Sequence, residues 1–131
     1  MEQGYHHRAA ASAYRQTLQQ ALGTREAMAR IIARQIHRLQ EGREAYIAKR
    51  FDVMSGHHTK LLQAIILLNS VMTMDAGAPD AAEARASLRF HRDAFEQTLE
   101  DVANILRAPE PLLVFDKVDA RLRTLYKAWA S

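Results

Sequence analysis

The segment His57-His58-Thr59-Lys60 is where this chain comes nearest to reactive chemistry. A histidine followed one helical turn later by a lysine is the arrangement of histidine phosphotransfer bundles, in which an exposed imidazole Nε2 carries the phosphoryl group. In such bundles small residues follow the lysine and leave room for it. Here Leu61 and Leu62 follow, so phosphotransfer through His57 or His58 stands as an alternative reading. The other histidines, His6, His7, His37 and His91, lack the Glu-x-x-His or His-Glu-x-x-His spacing that builds a metal site, and no metal is expected. The chain has no Cys, which removes thiolate ligands, disulfides and a Cys nucleophile, and which suits a reducing compartment. No Gly-x-Ser-x-Gly elbow, phosphate-binding Gly-rich loop or dinucleotide fingerprint occurs. Glu100 and Asp101 are adjacent, so on a helix they point about 100° apart and do not share a substrate. The residues assemble no catalytic site, and neither an enzyme nor a cofactor-binding protein is expected.

The elements that carry these residues read as helices throughout. Gly and Pro number five and three and fall mostly between periodic stretches. A leading helix over about 9–22 places Tyr14, Leu18 and Leu22 at spacings of four, and its Ala- and Gln-rich composition predicts helix only when docked. Thr24 is a suitable N-cap for the next helix, about 25–49, whose inner face is Met28, Ile31, Ile32, Gln35, Ile36, Leu39, Tyr46 and Ile47. Gly42 inside it marks either a close helix approach or a tolerated weak spot, since a mid-helix Gly costs about 1 kcal/mol against Ala. Arg50-Phe51-Asp52 reads as a tight turn before a third helix over about 53–74. Asp80 with Glu83 forms a capping-box variant opening a fourth, with Leu88, Phe95, Leu99, Val102 and Leu106 inward as far as about residue 107. After Pro109 and Pro111 a last helix, about 112–130, carries Val118, Leu122, Leu125 and Trp129 on one stripe. The expected fold is all-α: an antiparallel up-and-down four-helix bundle with an extra short N-terminal helix, one domain over 1–131, with the bundle at 24–130 and a mobile segment at 1–22.

The third helix is the most apolar. Leu61, Ile65, Leu68 and Met72 make one stripe, Leu62 and Ile66 widen it on one side, and Leu67, Val71 and Met74 nearly close it on the other. Such a helix is either the central one of the bundle or one side of a groove that a partner segment fills. Met28, Met54, Met72 and Met74 suit adaptable binding as well as core filling. Arg30, Arg34 and Arg38 share a face that either meets an acidic partner or stays solvated, with Glu26 pairing to Arg30. The formal charge of +3 is too small an excess to suggest nucleic acid. The longest apolar run, Ala64 to Leu68, is too short to cross a bilayer, and the first eight residues hold no apolar leader core, so a cytoplasmic protein without membrane insertion is expected.

Taken in order, Tyr14-Arg15-Gln16, Gly23-Thr24-Arg25-Glu26 before Ile31-Ile32, Lys60 ahead of Ile65-Ile66 and Leu68, Leu88 with Phe90, and the closing Leu125-Tyr126-Lys127-Ala128-Trp129 resemble the FliS family of flagellin export chaperones. The match runs over about residues 14–130. Where that family usually has Leu-Tyr-Asp, this chain has Ile32-Ala33-Arg34. The resemblance implies a cytoplasmic chaperone that binds the disordered C-terminal segment of flagellin, prevents premature polymerisation and delivers the cargo to the export apparatus. It also implies a partner surface of Met28, Ile31, Ile32, Ile36, Lys60, Ile65, Leu68 and Met72, with Tyr14 lying over a groove as a lid. A related adaptor that keeps the fold but binds a regulator in place of flagellin is the other reading the resemblance allows.

Overall fold

In the computed structural model, which describes residues 25–75 and 82–130, the periodic stretches become four α-helices: α1 (Arg25–Ile47), α2 (Phe51–Asp75), α3 (Ala82–Ala103) and α4 (Pro111–Ala130). A single 3-10 turn, Ile105–Arg107, lies between α3 and α4, and no strand occurs among the described residues. Side chains are described over residues 26–70 and 89–130. The expected leading helix with Tyr14, Leu18 and Leu22, the Thr24 N-cap, the Asp80–Glu83 capping pair, and the side chains of Val71, Met72, Met74 and Leu88 fall outside the described residues.

The helices pack as a ring of neighbours. α1 lies against α2 and α4, α2 against α3, and α3 against α4, which also touches the 3-10 turn. Their inward stripes meet in one cluster. α1 supplies Met28, Ile32, Ile36, Leu39 and Ala45; α2 supplies Met54, Leu61, Ile65 and Leu68; α3 supplies Phe95 and Val102. α4 closes it with Phe115, Val118, Leu122 and Leu125, spaced three and four apart as one helix face demands. Two of the buried polar side chains are satisfied within their own helices. Gln35 donates to the Ile31 carbonyl and accepts from Arg38, and the Thr98 hydroxyl donates to the Ala94 carbonyl. Between α3 and α4, a largely buried pair joins Arg121 Nη1 to Asp101 Oδ2 at 2.8 Å.

Two helix boundaries differ from expectation. The α1–α2 turn falls at residues 48–50, not at Arg50-Phe51-Asp52. It is closed by the Arg50 amide donating to the Ala45 carbonyl at 2.8 Å and the Lys49 amide to the Tyr46 carbonyl at 3.0 Å. This is a Schellman pattern, and Lys49 fills its left-handed position at φ 60°. Phe51 is therefore the first residue of α2. At the other boundary α3 ends at Ala103, because the Asn104 side chain competes for the Glu100 carbonyl and the chain tightens into the 3-10 turn. The tighter turn rotates Ile105 inward and leaves Leu106 55% exposed, which corrects the inward assignment of Leu106. Ile47, at the fraying end of α1, is likewise exposed and not on the inner face.

Gly42 is a point of close approach. A Cβ built there would lie 2.9 Å from His58 Nε2, so the α1–α2 contact depends on the absence of a side chain at that position.

Candidate partner-binding groove

The residues expected to form the partner surface divide sharply. Met28, Ile32, Ile36, Ile65 and Leu68 are buried members of the central cluster, and Ile31 is partly buried against it. Their side chains pack between neighbouring helices, because α1 must serve both α2 and α4 and α2 must serve both α1 and α3. Lys60 is exposed. Tyr14 and the Met72 side chain lie outside the described residues.

The arginine face of α1 is solvated. Arg30 pairs with Glu26, and Arg38 bonds to Gln35 within the same helix.

The histidines are arranged as structural groups. His58 is 7% exposed, its ring sits 5.5 Å from Phe115, and its Nε2 is buried without a partner beside Gly42. Burial first, and the neighbouring His57 second, hold its pKa below the ordinary histidine value. His57 places Nδ1 3.3 Å from one Glu41 oxygen, while His37 Nε2 lies 2.8 Å from the other. His58 Nε2 points at the α1 backbone at Gly42, whereas the Glu41 contact of His57 is made through Nδ1. His91 is buried against Trp129 with its rings 5.3 Å apart, and burial lowers its pKa as well. No cluster of His, Asp or Glu among the described residues could hold a metal ion.

Among the open grooves of the described residues, one between the first half of α2 and the end of α3 is lined mostly by apolar side chains. Its volume is about 340 Å³. Phe51, Met54 and Leu62 form one wall, Val102, Leu106 and Arg107 the other, and His58 and Ile105 lie at the base. Phe51 at 48% and Leu106 at 55% are half in water, so large apolar side chains stand on both rims. The local reasons are the two boundaries already described. The left-handed cap at Lys49 brings Phe51 into α2, where Phe51, Met54, His58 and Leu62 fall on one stripe. The 3-10 turn swings Leu106 outward to face them. The α2 half of this groove had a signal, the spacing of Phe51, Met54, His58 and Leu62, but a turn assigned at Arg50-Phe51-Asp52 conceals it. The Leu106 half had none, since uninterrupted α-helical periodicity places it inward.

No helix among the described residues is long and apolar enough to cross a membrane. No protein-family model, curated protein or solved structure matches the chain.

Proposed function

We propose that this chain is a non-catalytic polypeptide-binding protein that holds an unstructured apolar segment of a partner in the α2–α3 groove. On the family resemblance, the segment is the C-terminal part of flagellin, held in the cytoplasm against premature polymerisation and passed on for export. The observation that carries the reading is the groove with half-exposed Phe51 and Leu106 on opposite rims. Exposed apolar walls facing each other across a cleft are what a helix-in-groove partner requires. An antiparallel up-and-down order of the helices belongs to the same proposal. It is supported by the short segments 48–50 and 104–110 between consecutive helices and by the ring of neighbour contacts. Ordering a disordered cargo offsets part of the contact energy, which keeps the complex releasable.

The test is capture of the organism's flagellin, with and without its C-terminal segment, by the full chain and by Phe51→Asp and Leu106→Asp variants. Full-length flagellin is retained by the wild type and lost by both variants. Equal capture of the truncated form would reject a flagellin C-terminal cargo, and capture of neither form would leave the adaptor reading, in which a regulator occupies the groove.

A further inference from the structure

The α2–α3 groove is electrically one-sided. Among the residues that line it Arg107 carries the single formal charge, and no carboxylate faces it. Arg107 is exposed and makes no ion pair among the described residues. Glu100 and Asp101 border a neighbouring depression that Arg107 shares, yet neither comes within ion-pair distance of it. Asp101 is instead held by Arg121 at 2.8 Å and by the Gln97 amide at 3.1 Å. The guanidinium thus stands at the rim of an apolar cleft with its planar fork of donors unused, a geometry suited to a carboxylate. The α2 wall, from Phe51 to Leu62, spans about 16 Å of helix axis, room for roughly three turns of a partner helix.

We propose that this groove takes an acid-bearing amphipathic helix. Apolar side chains at i, i+3 or i+4, and i+7 sit between Phe51, Leu62 and Leu106, and an Asp or Glu beside that stripe pairs with Arg107. The proposal rests on the polypeptide-binding reading and specifies the chemistry of the segment bound. The apolar stripe supplies burial, and the carboxylate sets register and direction in a cleft whose own walls are otherwise neutral. A basic helix of the same shape is rejected, because a lysine at that point faces Arg107 with no acidic residue in the groove to offset it.

Two synthetic helical peptides of about 18 residues test this. They share one Leu stripe and carry either Glu or Lys at both ends of it, so that either binding direction presents the charge to Arg107. Each is titrated against the full chain by fluorescence anisotropy at low and high salt. The Glu peptide is expected to bind about tenfold more tightly at low salt, with the gap narrowing as salt rises. Arg107→Glu inverts the preference, Arg107→Gln removes it, and Leu106→Asp weakens both peptides. Circular dichroism checks that each exposed-site variant keeps its helix content. Equal affinity for the two peptides, binding of neither, or a preference that survives Arg107→Glu overturns the proposal. Flagellin capture that is still lost in Phe51→Asp and Leu106→Asp would then keep the polypeptide-binding reading, and capture unaffected by those variants would remove that reading as well.

Discussion

Gly42 and His58 divide one space between α1 and α2. The His58 ring also packs against Phe115 and is 7% exposed, so it has little room to retreat from a new methyl group. Gly42→Ala gains about 1 kcal/mol of helix propensity but overpacks the contact at a cost of roughly 1–3 kcal/mol. The expected net effect is a lower thermal midpoint. In a His58→Ala background the ring is gone, and the same Gly42→Ala change should stabilise; a double-mutant cycle measured by thermal denaturation checks the change of sign. The buried histidines also make stability depend on pH. Burial holds His58 and His91 below the ordinary value of about 6.5. As pH falls through 6.5 the unfolded chain takes up protons that the folded chain refuses, so the stabilisation is complete above that pH and is lost progressively below it. Thermal midpoints recorded from pH 8 to pH 5 should fall at the acid end, and a His58→Leu/His91→Leu variant should show a shallower decline. An unchanged slope in the double variant would assign the effect to other groups.

At the scale of elements, the helix ends decide more than the helix interiors. Lys49 occupies a left-handed position that a glycine adopts without strain, at φ 60°. Lys49→Gly should therefore stabilise the α1–α2 turn by about 1 kcal/mol. For a chain of this length that corresponds to a rise of a few degrees in thermal midpoint, read by calorimetry. A fall instead would mean that the Lys49 side chain contributes more than its backbone strain costs. The end of α3 acts in the opposite way. Asn104 and the 3-10 turn break the α-helical register, so that Ile105, not Leu106, completes the core. That one-residue change converts Leu106 from a core residue into a groove wall.

At the scale of the whole molecule, the apolar surface is unequally shared between the core and the groove. Ile32, Ile65 and Leu68 are sealed among the helices, whereas Phe51 and Leu106 keep about half of their surface in water. Replacing one of each kind by Asp should separate folding from binding. Leu68→Asp buries an unpaired charge and should unfold the bundle at ambient temperature. Phe51→Asp relieves an exposed apolar surface and should leave the far-ultraviolet circular dichroism and midpoint nearly unchanged while abolishing cargo capture. If Phe51→Asp unfolds the chain to the same extent, the groove residues belong to the core and the binding surface lies elsewhere.

The helical character of this chain, and most of its buried positions, are legible in the residues themselves. Stripes such as Phe95, Leu99 and Val102, or Val118, Leu122 and Leu125, repeat at helical spacing, and water drives such a stripe inward whatever it meets there. The same pattern is blind to which stripe meets which. Ile32 and Leu68 look as suitable for a partner as Phe51 does, and only the packing of α1 against both α2 and α4 consigns the first two to the core. In sequence Gly42 carries two meanings, and the ring of His58, sixteen positions later, decides between them. The groove itself depends on two local departures from α-helical geometry, at Lys49 and at Asn104–Arg107. Periodicity alone carries no information about either, because each is settled by hydrogen bonds at a helix end and by what the neighbouring helix leaves uncovered.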